Sequence, residues 1–171
     1  MVWKVGTGDA YALLAALLAE ARGVKPLPRL ERLPGGKPFF PDRPDLRFNL
    51  SHSRMGKTDT LALCTLSDGP VGCDIELVRP HSKGLPRYAL SDREFDGFCR
   101  RGEHWEDFFT LWTMKEARVK CTGEGLKVPP RAIAVPLLEP GEETRFEGFL
   151  FTALAGENWR GAIAEQIPQQ K

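Results

Sequence analysis

Apolar and polar residues follow different periods along the chain, and each period predicts a type of element. Residues 9–23 are rich in Ala and Leu and predict a helix, with Asp9 as its N-cap and Gly23 at its end. Residues 24–47 contain six prolines, which predicts a loop-rich passage with short extended pieces. From residue 48 onwards a period of two predicts strands.

The remaining elements follow from the same patterns. Strands are predicted at residues 48–50, 60–66, 71–78, 132–137, 145–155 and 159–165. Helices are predicted at residues 91–101, opened by the capping box Ser91-x-x-Glu94, and at residues 104–121, ended by Gly123. Helices and strands mixed in this order indicate the α+β class.

The charge of the chain is nearly balanced, with 24 basic and 23 acidic side chains and a net charge of +1. This balance points neither to nucleic acid nor to a membrane as a partner, so an anionic ligand has to be held by a local cluster of charge. The apolar run at residues 11–19 is too short to span a bilayer and is unlike a targeting signal, which predicts a cytoplasmic protein. The four cysteines lack zinc-type spacing and are expected to be free thiols.

The predicted strand at residues 71–78 carries two carboxylates on one face. Because side chains alternate along a strand, Asp74 and Glu76 point the same way, about 7 Å apart at the backbone. Like charges at this distance are unfavourable unless solvent, a base or a cation screens them, and Mg²⁺ prefers such oxygen ligands. Gly72 on the same face is expected to leave space for a ligand. The alternative is the solvated outer face of an edge strand.

The predicted helix at residues 104–121 combines an apolar stripe with a charged patch. Lys115, Glu116 and Lys120 lie beside the stripe, and Glu116 and Lys120 share a face because they are four residues apart. One interpretation is a simple ion pair on a solvated helix. The other is a metal site in which Glu116 supplies a third carboxylate and the lysines hold phosphates.

Two short segments offer groups for binding an anion such as phosphate. Ser51 and His52 follow a predicted strand, but neighbouring residues on an extended chain point apart and no G-x-S-x-G elbow is present, which disfavours a hydrolase. Gly36-Lys37-Pro38 offers a flexible backbone and one cation but is not a P-loop. Taken alone, each segment is also compatible with an ordinary turn.

In their order along the chain, these segments resemble the surfactin-type 4′-phosphopantetheinyl transferases. The matching segments are Gly36-Lys37-Pro38, Phe48-Asn49-Leu50-Ser51-His52-Ser53, Gly72-Cys73-Asp74-Ile75-Glu76, Phe109-Thr110-Leu111-Trp112-Thr113-Met114-Lys115-Glu116-Ala117, Lys120 and Gly125-Leu126. The resemblance runs from about residue 13 to residue 164. It implies an α+β fold with two similar halves and the active site in the cleft between them. It also implies a single domain over residues 1–171, with a shortened first half at about 1–66 and a second half at about 67–165.

The resemblance further implies roles for individual residues. The magnesium ligands would be Asp74, Glu76 and Glu116. The groups that bind coenzyme A would be Gly36, Lys37, Pro38, Ser51, His52, Lys115 and Lys120. The catalytic residues would be Glu116, Glu76 and Lys120, and Glu94 matches an acidic position with a catalytic or an ordering role.

The implied activity is magnesium-dependent transfer of 4′-phosphopantetheine from coenzyme A to a serine of an apo acyl or peptidyl carrier protein, as in a holo-acyl-carrier-protein synthase. Adenosine 3′,5′-bisphosphate is released. The alternative is a non-catalytic module that binds coenzyme A or the carrier, but three acidic positions favour the enzyme, since a pure binder needs no metal site. The short first half is expected to lack basic residues that help to hold phosphate in relatives, and a monomer is expected. Candidate cations for an acidic carrier helix are Arg79, Lys83, Arg87, Arg100 and Arg101.

Overall fold

Two antiparallel sheets, each covered by a long helix, form the fold in this computed structural model, which describes residues 1–57, 59–123, 125 and 127–168. The first part of the chain contains β1 (Val2–Thr7), α1 (Ala10–Arg22), β2 (Glu31–Arg32), β3 (Pro38–Phe39), β4 (Arg47–Arg54) and β5 (Thr60–Ser67). The second part contains β6 (Val71–Leu77), α2 (Gly84–Ala89), α3 (Asp92–Arg100), α4 (Trp105–Thr122), a 3₁₀ turn (Pro130–Ala132), β7 (Glu143–Phe146), β8 (Phe149–Gly156) and β9 (Trp159–Gln166).

Each half of the fold pairs one sheet with one long helix. The first sheet has the strand order β1-β5-β4 and packs against α1, and the second has the order β6-β9-β8-β7 and packs against α4. β2 and β3 form a separate ladder of two residues each. This architecture confirms the predicted α+β class. In the described part of the chain, no helix has the length and apolar character needed to cross a membrane.

The two long helices have the predicted caps. Asp9 accepts a hydrogen bond from the Tyr11 N–H at 3.0 Å, and Gly23 follows α1 with a left-handed φ of 65°. Gly123 follows α4 with a φ of 73°. Because glycine adopts a left-handed φ without a steric penalty, it ends both helices where the chain has to turn.

Two strand predictions near the C-terminus are wrong. Residues 132–137 lie outside every strand of the described chain: Ala132 ends the 3₁₀ turn, and Val135 packs into the core. Residues 145–155 are not one strand but parts of β7 and β8. Glu147 and Gly148 separate these strands, since their positive φ values of 46° and 80° turn the chain.

The two sheets meet where their edge strands, β4 and β6, lie side by side. The Asn49 Oδ1 accepts a hydrogen bond from the Cys73 N–H at 2.9 Å, and the Ser53 Oγ accepts one from the Leu77 N–H at 3.3 Å. Side chains of β4 therefore satisfy backbone donors on the edge of β6 that its own sheet leaves unpaired. These hydrogen bonds attach β6, the edge strand of the second sheet, to the first half of the fold.

Strand β6 is buried on both faces, which places its polar residues in the interior. One face joins an apolar cluster contributed by both sheets: Leu61, Leu63, Val71, Cys73, Ile75, Leu154 and Ile163. The other face lies under α4, which belongs to a second cluster that includes Phe108, Leu111, Met114, Ala117, Phe151 and Ala162. A charged side chain on β6 is thus held among packed elements rather than in solvent.

Candidate functional site

The face of β6 that carries the carboxylates packs against α4. A Cβ on Gly72 would lie 2.1 Å from the Ala117 O and 2.2 Å from the Cys121 N, so only glycine allows the helix backbone to come this close. The prediction that Gly72 leaves space for a ligand is therefore wrong, because α4 occupies that space. Asp74, which follows on the same face, is 3% exposed, so the alternative of a solvated edge strand is also wrong.

Asp74 is one corner of a hydrogen-bonded triangle. Ser51 lies within β4, which extends beyond the predicted residues 48–50, and its Oγ donates to the Asp74 Oδ1 at 2.8 Å. The Lys120 Nζ donates to the same oxygen at 2.7 Å and to the Ser51 Oγ at 2.9 Å. Burial opposes the charge on Lys120, but Asp74 and Glu116 favour it, and the pKa of Lys120 is raised on balance. Lys120 is therefore a firmly held cation.

Glu76 and Glu116 add two carboxylates near Asp74. The Ser53 Oγ donates to the Glu76 Oε2 at 2.7 Å. Burial raises the pKa of Glu76; the hydrogen bond from Ser53 opposes this rise, and the charge of Asp74 adds to it. The pKa of Glu116 is raised first by burial, then by Asp74, with a smaller contribution from Glu76. Such a concentration of half-buried negative charge favours the binding of a cation.

The acidic cluster, defined as Asp74, Glu76 and Glu116, has the oxygen donors that magnesium prefers. Within residues 1–57, 59–123, 125 and 127–168, no group of three or more His, Cys, Asp or Glu side chains is arranged to hold a metal ion. The Asp74 Oδ2, however, is buried and has no hydrogen-bond partner among the described residues, so one oxygen of the cluster is free to coordinate. Since Mg²⁺ keeps several waters and takes only one or two carboxylates plus substrate phosphates, the donor set fits it without a closed cage.

A cavity of about 580 Å³ opens beside the acidic cluster. Its wall includes six of the seven residues predicted to bind coenzyme A: Gly36, Lys37, Pro38, Ser51, His52 and Lys120. Lys120 connects the cavity with the acidic cluster, because it lines the cavity and binds Asp74. The fold thus brings together segments that are far apart in the sequence.

Two side chains of the cavity wall, those of Arg32 and Tyr11, were not predicted from the sequence to be part of the site. The Arg32 Nη2 donates to the Tyr11 Oη at 2.9 Å, and its Nη1 donates to the Gly36 carbonyl at 2.8 Å. Arg32 reaches the wall because β2 pairs with β3, which sets it opposite Pro38. A ladder of two residues in a proline-rich passage has no periodic signal, and no motif surrounds Arg32.

Like Lys120, the other two lysines predicted to bind coenzyme A have ammonium groups bonded within the protein. Lys115 is 1% exposed, and its Nζ lies 2.8 Å from the Glu94 Oε2 and donates to the Ile133 carbonyl at 2.7 Å, so the structure does not bring it to the cavity. Burial lowers the pKa of Lys115, although Glu94 opposes that shift. The Lys37 side chain does line the cavity, but its Nζ donates to the Val71 carbonyl at 2.9 Å and to two carbonyls of α4.

Glu94 completes the predicted capping box at the start of α3. The Glu94 N–H donates to the Ser91 Oγ at 3.4 Å, and the Glu94 Oε2 accepts from the Ser91 N–H at 2.8 Å. The same carboxylate pairs with Lys115 in the interior. These contacts support the ordering role of Glu94 rather than a catalytic one.

The geometry defines a class of site: carboxylates and a firmly held lysine at the edge of a cavity that residues of both halves line. A family model described as the 4'-phosphopantetheinyl transferase superfamily matches residues 70–164, more than half of the chain. The chain belongs to this superfamily.

Individual relatives agree with this assignment. The 4'-phosphopantetheinyl transferase Sfp of Bacillus subtilis (strain 168) is 34% identical over 109 residues, which cover 63% of this chain and 46% of that protein. The 4'-phosphopantetheinyl transferase AcpT of Salmonella typhimurium is 37% identical over 141 residues, which cover 70% of this chain and 71% of that protein. The chain spans about half the length of the Bacillus subtilis relative.

Proposed function

We propose that this chain transfers 4′-phosphopantetheine from coenzyme A to a serine of an apo acyl or peptidyl carrier protein, in a magnesium-dependent reaction that releases adenosine 3′,5′-bisphosphate. The observation that carries the proposal is the position of Lys120, which lines the cavity and binds Asp74. A cation shared between a ligand cavity and a set of carboxylates suits a substrate that carries a pyrophosphate.

Coenzyme A is the substrate that we assign to the cavity. The volume of about 580 Å³ lies within the usual range for small-molecule sites. Lys120 and Arg32 supply positive charge on its wall, and Ser51 and His52 supply further hydrogen-bonding groups. Because the net charge of the chain is only +1, this local clustering of cations is the feature that favours an anionic ligand.

The proposed chemistry is a displacement at phosphorus. The acceptor serine Oγ forms a bond to the β-phosphorus of coenzyme A, and the bond from that phosphorus to the oxygen of the leaving 3′,5′-ADP breaks. The serine proton passes, directly or through water, to Glu116 or Glu76. Lys120 stabilises the charge that develops on the pyrophosphate oxygens. Magnesium, bound directly or through water by Asp74, Glu76 and Glu116, would neutralise more of that charge.

The carrier is proposed to dock on exposed cations around α2 and α3. All five candidate cations are exposed, and four of them remain in this set: Arg79, Lys83, Arg87 and Arg100. Arg101 is removed from it, because its guanidinium pairs with Asp107 at 3.4 Å and with Glu139. Reversing the four charges should raise the KM for the carrier and leave coenzyme A affinity intact. Unchanged carrier kinetics would rule out this docking surface.

Release of adenosine 3′,5′-bisphosphate tests transfer and separates it from binding alone. The protein is incubated with Mg²⁺ and coenzyme A, with and without apo carrier proteins, and the nucleotide is quantified by chromatography. We expect release that requires a carrier, is lost in Lys120→Met and persists in Lys25→Met, an exposed control outside the cavity wall. A protein that binds coenzyme A but releases no nucleotide with any carrier would favour the non-catalytic module.

A further inference from the structure

Lys37 uses all three donors of its ammonium group inside the protein. The Lys37 Nζ donates to the carbonyls of Val71 at 2.9 Å, Lys120 at 2.7 Å and Cys121 at 3.1 Å. An ammonium group has three N–H bonds, so each has an acceptor here. To bind a phosphate, Lys37 would have to give up at least one of these contacts.

The three carbonyls belong to the second half of the fold, whereas Lys37 belongs to the first. Lys120 and Cys121 lie in the last turn of α4, where carbonyls have no partner within the helix and the helix dipole is negative. Val71 is the first residue of β6. The Lys37 side chain therefore ties the loop before β3 to the end of α4 and to the start of β6.

The glycines around Lys37 allow this close contact. A Cβ on Gly35 would lie 2.9 Å from the Gly123 carbonyl, and a Cβ on Gly123 would lie 3.7 Å from the Lys37 Cδ. Gly36 has a φ of 82°, a conformation that favours glycine. The Gly-Gly-Lys sequence thus has a structural reason: Gly35 lets the loop approach the end of α4, Gly36 supplies the left-handed turn, and the lysine binds the carbonyls.

We propose that Lys37 is a positioning residue, which holds the last turn of α4 so that Lys120 reaches Asp74, Ser51 and the cavity. It then supports coenzyme A binding through Lys120 and makes no direct contact with a phosphate of the ligand. This inference rests on the proposed function for the identity of the ligand. The contacts of Lys37 themselves do not depend on that function.

Binding of coenzyme A and of 3′-dephospho-coenzyme A distinguishes positioning from contact with the 3′-phosphate. In Lys37→Met, measured by calorimetry at a temperature where circular dichroism shows a fully folded protein, we expect both dissociation constants to rise by the same factor, about tenfold. If Lys37→Met weakened the binding of coenzyme A but left the dissociation constant of 3′-dephospho-coenzyme A unchanged, the proposal would be overturned. Lys25→Met is the matched control, being exposed and outside the cavity wall.

A double-variant cycle tests whether Lys37 acts through Lys120. If it does, adding Lys37→Met to Lys120→Met should weaken coenzyme A binding by much less than Lys37→Met does alone. Losses that multiply independently would contradict the proposed route. In Lys37→Arg, which keeps the charge and several donors, we expect partial recovery of both dissociation constants.

Hydrogen exchange gives a test that needs no ligand. In Lys37→Met, the amides of the last turn of α4 should exchange faster than in Lys25→Met, and the melting temperature should fall by about 5 °C. If the wild-type protein binds neither coenzyme, the proposed function fails while these two measurements still decide whether Lys37 holds the helix end. Unchanged exchange and an unchanged melting temperature would overturn the proposal.

Discussion

A Gly72→Ala substitution should push α4 away from β6 and disturb the site without changing any charged group. The added Cβ would lie 2.1 Å from the Ala117 O, whereas ordinary contacts begin at 3.4 Å, so the helix backbone has to move by more than 1 Å. Overpacking of this kind costs about 1–3 kcal/mol, which corresponds to a melting temperature lower by roughly 2–10 °C. The same displacement separates the Lys120 Nζ from the Asp74 Oδ1, which are 2.7 Å apart, and so weakens their hydrogen bond.

Two measurements follow the consequences of this substitution. Urea unfolding monitored by circular dichroism gives the free energy of unfolding, and calorimetry gives the dissociation constant for coenzyme A. Gly97→Ala is the matched control: Gly97 lies in α3, and an added Cβ would meet no described residue within 4 Å, so the substitution should be neutral or stabilising. A Gly72→Ala protein with wild-type stability and affinity would refute the close approach of α4 to β6.

Three further substitutions test other contacts. Glu116→Gln should raise the melting temperature near neutral pH, because burial and Asp74 raise the pKa of Glu116 and make its ionisation costly in the folded state. This gain in melting temperature should vanish below the ordinary carboxyl pKa, and a gain independent of pH would contradict the reasoning. Lys115→Met should lower the free energy of unfolding in urea by about 3–5 kcal/mol, because it leaves the buried Glu94 carboxylate unpaired, and adding Glu94→Gln should restore part of this loss. Full stability together with reduced coenzyme A affinity would argue against a structural role of Lys115. Asn49→Ala should cost about 1–3 kcal/mol, because it leaves the buried Cys73 N–H without an acceptor; an unchanged unfolding curve would exclude this contact.

The long elements of the fold could be predicted because their signals are local. The caps at Asp9 and Gly23 and the left-handed Gly123 act within one helical turn, so the sequence reveals them directly. β1 and α2 were not predicted: β1 pairs with the distant β5, and α2 is a short helix that contains Pro86. Whether a strand forms depends on a partner, and that partner is far away in the sequence.

The candidate site, like the fold, could be predicted from the sequence only in part. The alternation along β6 predicts that Asp74 and Glu76 share a face, but not that this face lies against α4, since that depends on how closely Gly72 allows the helix to approach. The motifs predict that Lys37 and Lys115 bind coenzyme A, yet each ammonium group is bonded to groups from other elements. Such contacts depend on tertiary packing, which spacing along one element does not reveal.

The intact mass of an apo carrier protein, measured after incubation with this protein, Mg²⁺ and coenzyme A, tests the central claim most directly. We expect the carrier to gain the mass of one phosphopantetheinyl group, the gain to require Mg²⁺, and Glu116→Gln, although folded, to lose it. A panel of acyl and peptidyl carriers covers the two partner classes. If a folded wild-type protein left every carrier at its apo mass, or if Glu116→Gln modified the carrier as fast as the wild type, the proposed transfer at the acidic cluster would be contradicted.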